Sequence, residues 1–424
     1  MLRRLLRPPA PGFGNEDLPD VAASQWWSRD RILDYQAERL RRLVAYVWEE
    51  VPFYRDLMRE HRVRPADVQG PDDLHALPVV EKSVLHGHAE RITRQEAVHE
   101  YALTGGTSGF RLRWARNRRW LELFTACLYR GFGWAGLTKE TKVVSFYSRN
   151  IGTVSERALI LRESLEAGRV ETELEEVRAF GPEAAYCYAS SAFMVASYLL
   201  DTGQTLPLRT VVTTGDQLLP EYVPVIERAF GCRVWDNFGC NDGGVWGAQC
   251  EERSGFHHDA ERSILEVVDG RLVATDLWNS AFPFLRYAIG DAGAWLEGDC
   301  PCGRGSPRFT AQGRLYDVIV GPTAALAPPA ATAMFRVDGL ADFRIVQTDP
   351  RTVEVLVVRA SGFDAGGFDR GIQALREALP GMEVVPRFVE TIAPTTSGKR
   401  RIVENRTGLS PASVWGGPTP ADGP

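Results

Sequence analysis

The sequence predicts an α/β protein with a mainly parallel sheet, followed by a β-rich unit and a small α+β unit. Short β-branched runs at 143–146, 210–213 and 233–235 alternate with segments whose apolar residues recur at helical spacing. This alternation is typical of parallel strands that helices cover on both faces. After residue 259 the pattern changes to closely spaced strands and turns, which indicates a second, more antiparallel unit.

The individual elements follow from the same spacing rules. Apolar residues between 32 and 47 predict an amphipathic helix that Pro52 interrupts. The other helices are predicted at 120–132, 155–167, 192–201, 220–230 and 368–379. The strands of the two later units are predicted at 263–268, 270–276, 293–296, 353–359 and 383–389.

These elements divide the 424 residues into three parts. The predicted parts are an N-terminal core at 1–316, a small mobile α+β lid at 317–406 and a tail at 407–424. Within the core, a helical region at 30–90 precedes the α/β sheet at 91–258 and the β-rich subdomain at 259–316. Because Pro, Gly, Ser, Thr and Ala dominate the tail, we expect it to be disordered.

Composition and charge exclude several classes of function. Lys and Arg number 49 against 55 Asp and Glu, a net charge of −6, so the whole chain is not drawn to nucleic acid or to an acidic membrane surface. The longest apolar stretch, near 192–200, is too short to span a bilayer, and the basic start lacks the apolar region of a signal peptide. Seven cysteines, an odd number in a large chain, argue against a secreted disulfide framework. The expected setting is the cytoplasm.

One glycine-rich segment has the composition of a phosphate-binding loop. Three glycines and three hydroxyl residues fill six consecutive positions: Thr104, Gly105, Gly106, Thr107, Ser108 and Gly109. Backbone N–H groups without side chains in the way can turn toward an anion, and the hydroxyls can donate to phosphate oxygens. A Gly-Ser surface turn would have the same composition. The missing Gly-Lys-Ser/Thr ending disfavours a P-loop NTPase.

Two further motifs follow predicted parallel strands. They are Gly215 and Asp216 after the strand at 210–213, and Asp236, Phe238, Gly239 and Asp242 after the strand at 233–235. Ligands of α/β sheets bind at the carboxyl ends of strands, where an aromatic ring can stack on a base and a carboxylate can hold Mg²⁺ beside phosphates. An ordinary polar loop would explain either motif alone.

Three charged residues complete the set. Asp291 can accept hydrogen bonds from both ribose hydroxyls, and Lys399, next to Gly398, can bring a compact charge to an α-phosphate. Arg314 lies between them in the chain. Each residue is a weak signal alone, and the order of the motifs carries the argument.

In this order the motifs resemble those of the adenylate-forming enzymes, the superfamily of acyl-CoA synthetases, luciferases and adenylation domains. Within it, the chain resembles the branch of phenylacetate-CoA ligases and CapK-like proteins, over about residues 35–406. The branch-specific part is the helical region at 40–85, with Val51, Pro52, Phe53, Tyr54, Arg55, Leu74, Leu77, Pro78 and Lys82. The resemblance implies the adenylate-forming fold, with a large N-terminal domain and a small mobile C-terminal lid.

The resemblance also implies a role for each motif. Residues 104–109 would hold the phosphates, Gly215 and Asp216 would border adenine, and Asp236 and Phe238 would contact and stack on the base. Gly239, between Phe238 and Cys240, would also belong to the nucleotide-binding residues. The remaining implied roles are Mg²⁺ binding for Asp242, ribose binding for Asp291, nucleotide contact for Arg314 and the lid hinge for Asp317. Lys399, Asp242 and Thr107 would be catalytic, with Lys399 bridging the substrate carboxylate and the α-phosphate. The chain departs from the family in three places: no proline follows Gly109, Phe238 replaces a Tyr, and Asn241 and Asp242 replace a Thr-Glu pair.

The implied activity is ATP-dependent activation of a small carboxylic acid, with aromatic acids as the first choice. The acid would form an acyl-adenylate with release of pyrophosphate, and the acyl group would pass to coenzyme A as a thioester. Two alternatives stay open: transfer to an amine or another nitrogen nucleophile, and a catalytically silent scaffold that binds ATP or AMP. Relatives are often dimeric, so a homodimer is also open.

Four residues outside these motifs have the spacing of a metal site. Cys250 and His257 precede Cys300 and Cys302, which flank Pro301. Three thiolates and one imidazole form a closed tetrahedral set for structural Zn²⁺, and the spacing resembles a Cys/His/Cys/Cys arrangement in some relatives. Reduced core cysteines beside an exposed histidine would give the same spacing. His258 and Asp259 are rival ligands.

Overall fold

One eleven-stranded mixed sheet organises the larger part of the molecule. The structure is a computed structural model that describes residues 13–104, 112–146, 155–161, 170–314, 319–322, 325–326, 334, 337–393, 403–407 and 409. The strands in chain order are β1 (Glu100–Leu103), β2 (Arg113–Arg116), β3 (Val143–Ser145), β4 (Ala158–Ile160), β5 (Ala184–Cys187), β6 (Thr210–Thr214), β7 (Val234–Cys240), β8 (Val245–Ala248), β9 (Phe256–His258), β10 (Ser263–Val268), β11 (Arg271–Asp276), β12 (Tyr287–Trp295), β13 (Arg308–Arg314), β14 (Ile319–Val320), β15 (Ala325–Leu326), β16 (Leu340–Asp349), β17 (Thr352–Arg359), β18 (Glu383–Phe388) and β19 (Val403–Asn405). The α-helices are α1 (Val21–Ser24), α2 (Arg29–Glu50), α3 (Pro52–Glu60), α4 (Lys82–Gly87), α5 (Ala89–Ile92), α6 (Arg118–Trp134), α7 (Val170–Phe180), α8 (Ala189–Asp201), α9 (Tyr222–Phe230) and α10 (Ala365–Ala378).

The sheet has a parallel half and an antiparallel half. Its order is β10-β11-β12-β13-β9-β8-β7-β6-β5-β3-β4. The pairs from β4 to β7 are parallel, and those from β7 to β10 are antiparallel. Helices α7, α8 and α9 connect successive parallel strands and bury apolar residues such as Val177, Val195 and Ile226. The predicted α/β fold is confirmed.

The N-terminal helices cover the antiparallel half. In α2 the buried residues Leu40, Leu43, Val44 and Val47 recur at helical spacing and join the same core as strands β10 to β12. Pro52 is the first residue of α3. An N–H at this position makes no hydrogen bond within the helix, so a proline is tolerated there. The predicted interruption at this proline is therefore a break between two helices.

The C-terminal part has its own sheet and core. Its strand order is β18-β17-β16-β19, and helix α10 packs on it through Phe368, Ile372 and Leu375. The predicted strands at 353–359 and 383–389 and the helix at 368–379 match β17, β18 and α10. Residues 315–318 and 410–424 lie outside the described residues, so the predicted lid boundary, the hinge at Asp317 and the disordered tail stay predictions.

Three sequence-based expectations need correction. The helix predicted at 155–167 is wrong, because residues 158–160 form β4 and pair in parallel with β3. The motif that contains Asp236 and Phe238 does not follow its strand, because β7 continues to Cys240. Similarly, Asp291 lies inside β12, which begins earlier than the predicted strand at 293–296.

Within the described part of the chain, no helix is long and apolar enough to cross a membrane.

Candidate active site

Asp242 lies in a turn between β7 and β8, where two side chains hold its carboxylate. Lys82 Nζ lies 3.0 Å from Asp242 Oδ2, and the Tyr287 hydroxyl donates to the same oxygen at 2.9 Å. The side chains of Lys82 and Asp242 are 12% and 13% exposed. Asp242 Oδ1 has a weaker neighbour, the Cys240 thiol at 3.5 Å. The arrangement fixes one carboxylate oxygen and leaves the other less constrained.

The turn itself depends on two glycines. Gly243 and Gly244 have φ angles of 101° and 73°, in the region that side-chain-bearing residues rarely adopt. A Cβ atom on Gly244 would also lie 2.5 Å from Asp276 Oδ2. The pair Gly243-Gly244 therefore sets the path of the chain directly after Asp242.

Two backbone hydrogen bonds of Val80, which we call the clip, attach the N-terminal region to the start of β12 and bring Lys82 to this turn. Val80 N donates to Arg286 O at 2.9 Å, and Ala288 N donates to Val80 O at 3.0 Å, so residues 80 and 287 are bridged as in a parallel sheet. The Arg286 guanidinium donates to Leu77 O and pairs with Glu266 at 3.1 Å. This clip places the first residue of α4, Lys82, beside the first residue of β12, Tyr287.

The predicted phosphate loop begins after β1, where two hydrogen bonds join residues on either side of the β1–β2 hairpin loop. Thr104 N donates to Leu112 O, and Leu112 N donates to Thr104 Oγ1, both at 3.0 Å. The other predicted loop residues lie outside the described part of the chain, as does Lys399; they are Gly105, Gly106, Thr107, Ser108 and Gly109.

The predicted ribose and nucleotide residues lie on neighbouring strands. Asp291, 6% exposed, is directly opposite Arg314 in the pairing of β12 with β13. On the parallel side, Gly215 and Asp216 follow β6 as expected, and Asp216 Oδ1 accepts from Ala189 N at 2.7 Å, at the start of α8.

The residues expected to contact the base lie within β7. Phe238 is half-buried, with its ring edge-on to Phe309 at a centroid distance of 5.4 Å. The Trp246 ring fills the space where a side chain on residue 239 would lie, so a Cβ atom added to Gly239 would be only 2.5 Å from that ring. Asp236 is buried and accepts from Thr213 Oγ1 at 2.8 Å. Its contact with a base stays a prediction.

Burial gives Asp236 a measurable effect on stability. Desolvation raises the pKa of Asp236 to about 8, against about 3.9 for an unfolded Asp. The stabilisation from the protonated form is complete below pH ~4 and is lost as the pH rises toward ~8, because the unfolded chain releases the proton more easily. We expect Asp236→Asn, whose Oδ1 still accepts from Thr213, to show a smaller loss of stability between pH 5 and pH 8 than the wild type. Urea unfolding at both pH values measures this, and parallel changes in the two proteins would contradict it.

A second cluster brings the four predicted zinc ligands together. One ligand atom from each of Cys250, His257, Cys300 and Cys302 lies within 4.8 Å of the others. The Sγ atoms of Cys250 and Cys300 are 3.6 Å apart, and Cys302 Sγ lies 3.4 Å from His257 Nε2. Desolvation lowers the pKa of His257 to about 4, and its Nδ1 lies 3.1 Å from Ser306 O. A neutral ring that donates from Nδ1 has its Nε2 lone pair free for a metal.

Two features of the alternatives for this cluster differ from the geometry, while the zinc itself stays a prediction. His257 is only 1% exposed, so it is not an exposed histidine beside core cysteines. The rival ligands are engaged elsewhere: His258 Nε2 lies 2.8 Å from Ser263 O, and Asp259 pairs with Arg130 at 2.6 Å. The donor set of three thiols and one imidazole suits a closed tetrahedral site.

Sequence reasoning missed two residues of the Asp242 site. Lys82 was predicted only as part of the branch-specific helical region. Tyr287 was given no role, although it lies only four positions before Asp291 in the chain. The sequence contains one indication that Lys82 has a specific role: lysine occurs at only four positions in the chain. No sequence pattern indicates its partner, since Lys82 and Asp242 meet through the clip between residues 80 and 288.

Comparisons with known proteins agree with this architecture. No protein-family model matches the chain. It is 28% identical over 325 residues to a phenylacetate-coenzyme A ligase of Thermus thermophilus, covering 69% of this chain and 72% of that protein. A phenylacetate-coenzyme A ligase of Pseudomonas putida is 23% identical over 322 residues, covering 69% and 73%. The crystal structure of a 2-hydroxyisobutyryl-CoA ligase, in its postadenylation state with R3-HIB-AMP, matches with a TM-score of 0.73 at 19% identity, covering 92% of this chain and 94% of that one.

The structural match, over nearly the whole of both chains, confirms the predicted adenylate-forming fold. Both of these relatives in sequence are phenylacetate-coenzyme A ligases, so the resemblance to that branch inferred from the motifs is confirmed.

Proposed function

We propose that this chain activates a small carboxylic acid with ATP and transfers the acyl group to coenzyme A. A carboxylate oxygen of the acid attacks the α-phosphorus, the bond from that phosphorus to pyrophosphate breaks, and pyrophosphate leaves. The coenzyme A thiol then attacks the acyl carbon, the bond to AMP breaks, and the thiol proton passes to solvent. The observation that carries the proposal is the anchored Asp242 carboxylate on the fold of adenylate-forming ligases.

The donor set around Asp242 fits Mg²⁺. Magnesium is commonly held by one or two carboxylates together with substrate phosphates, and Asp242 Oδ1 offers one hard oxygen beside the anchored Oδ2. Held by Asp242, Mg²⁺ would supply positive charge near the phosphate oxygens. We assign ribose binding to Asp291, phosphate binding to residues 104–109, and stabilisation of the α-phosphate to Lys399.

The Cys/His cluster has a separate proposed role. We assign it structural Zn²⁺, because its four donors leave no position for substrate in a tetrahedral site. We place the chain in the cytoplasm, because an odd number of cysteines in a large chain argues against a secreted disulfide framework. A homodimer stays a prediction.

Carboxylate-dependent ATP–pyrophosphate exchange tests the first half-reaction without knowledge of the acceptor. We expect exchange with one class among aryl, short hydroxy, fatty and amino acids, and none without an acid. Adding coenzyme A or an amine to the active pair then identifies the acceptor: a thioester supports the proposal, and an amide supports the alternative acceptor. Folded protein that binds ATP by calorimetry, yet exchanges with no acid, would contradict the proposal and favour a silent nucleotide-binding scaffold.

A further inference from the structure

Lys82 occupies a position beside Asp242 where a bound cation would compete with it. Its ammonium lies 3.0 Å from Asp242 Oδ2, and both side chains are largely shielded from water. We propose that Lys82 is a resident counter-ion of Asp242 that opposes divalent-cation binding, and that Tyr287 is a positioning residue that fixes this carboxylate. The inference rests on the proposed function, because it concerns the carboxylate assigned there to Mg²⁺.

The counter-ion role follows from the charge balance of the site. A carboxylate that is 13% exposed is costly to keep ionised without a nearby positive charge, and the Lys82 ammonium supplies that charge. A divalent cation at the same carboxylate places two positive centres a few ångströms apart in a poorly hydrated site, where their repulsion is stronger than in water. Metal binding and the ion pair therefore oppose each other, and the coupling is reciprocal.

The positioning role of Tyr287 follows from its rigidity. The residue is fully buried, and its ring contacts Phe284 at a centroid distance of 5.1 Å. Its hydroxyl donates to Asp242 Oδ2 at 2.9 Å. A donor on so fixed a ring limits the rotation of the carboxylate, which keeps Asp242 Oδ1 in one direction.

The two roles predict effects of opposite sign on metal affinity. Lys82→Met keeps the length of the side chain but removes its charge, so we expect Mn²⁺ to bind roughly tenfold more tightly. Lys82→Arg keeps the charge and should bind Mn²⁺ within about twofold of the wild type. Tyr287→Phe removes one hydroxyl and should weaken Mn²⁺ binding several-fold. Titrations of the full-length protein without ATP or acid, followed by electron paramagnetic resonance of free Mn²⁺, measure all three.

Two matched variants control for the substitutions themselves. Lys139 contacts the Tyr129 ring on the surface, so Lys139→Met loses an ammonium group away from Asp242. The Tyr46 hydroxyl donates to Ser280 O at 2.8 Å, so Tyr46→Phe loses a hydrogen-bonded hydroxyl away from Asp242. Both should bind Mn²⁺ as the wild type does. General destabilisation lowers affinity in every variant, so it does not produce tighter binding by Lys82→Met.

The inference is overturned if folded Lys82→Met protein binds Mn²⁺ no more tightly than the wild type, or not at all. It is also overturned if Tyr287→Phe leaves the affinity unchanged. These titrations need no turnover, so they are independent of the exchange assay. Absence of exchange by the wild type would contradict the proposed function and leave the measured Mn²⁺ affinities standing.

Discussion

Lys399→Ala should lower carboxylate-dependent ATP–pyrophosphate exchange by about 100-fold or more, while a supplied acyl-adenylate still reacts with coenzyme A within a few-fold of the wild-type rate. Removing one donor that is aimed at the oxygens where charge develops typically costs roughly 10²–10³ in rate, and we expect a charged donor to matter at least as much. Lys399 lies outside the described residues, and its role is inferred from the family motif next to Gly398. In the second half-reaction the coenzyme A thiol attacks the acyl carbon and the α-phosphorus is not attacked, so we expect this step to depend much less on the lysine.

Comparison of the two half-reactions separates this role from a structural one. Lys139→Ala, at a surface lysine, should leave both rates unchanged. Equal losses in exchange and in acyl-adenylate consumption by Lys399→Ala would show that the variant disturbs the fold or a shared binding step. Only a selective loss of exchange supports the assigned contact with the α-phosphate.

The features that the sequence predicted correctly are those encoded over short stretches. The strand at 263–268 matches β10 residue for residue, because its apolar pattern and bounding turn are local. The structure brings Cys300 and Cys302, from one tight turn, together with Cys250 and His257, as the sequence predicted, and their role as zinc ligands stays a prediction. Asp242 was likewise singled out by the motif that surrounds it, and its role in Mg²⁺ binding stays a prediction.

The features that the sequence did not predict depend on tertiary pairing. Lys82 reaches Asp242 only because Val80 bonds to the backbone of Arg286 and Ala288, a contact that no local pattern indicates. The segment at 155–167 contains an apolar run that fits a helix or a strand, and pairing with β3 selects the strand β4. The extension of β7 through Phe238 has the same cause, since its partner β8 continues the ladder to the Asp242 turn.

Loss of the Cys/His site should have the largest effect on stability. We expect the purified protein to contain about one Zn²⁺ per chain, and Cys300→Ser to lose it with a fall in the unfolding midpoint of about 10 °C. Structural zinc sites contribute several kcal/mol to folding, and for large domains each 1 kcal/mol shifts the midpoint by roughly 2–4 °C.

The contacts around the cluster explain why loss of its metal should destabilise neighbouring segments as well. Arg304 follows the cluster in sequence, and its guanidinium lies 5.3 Å from the Trp26 ring centroid and 4.3 Å from that of Trp134. Gly305 N donates to Gln25 O at 3.1 Å. The turn that carries Cys300 and Cys302 therefore also contacts the segment between α1 and α2 and the end of α6. We therefore expect loss of the proposed zinc to loosen both attachments.

A matched cysteine variant and an activity measurement make this test specific. Cys232 is a free, half-buried thiol outside the cluster, so Cys232→Ser should keep both the zinc and the unfolding midpoint. Cys250 follows one end of β8 and the Asp242 turn precedes the other, so exchange per folded molecule should survive in Cys300→Ser at low temperature. Purified protein without zinc, or equal midpoints for the two serine variants, would contradict a structural metal site. Loss of exchange in folded Cys300→Ser would instead show that the cluster acts on the catalytic edge of the sheet.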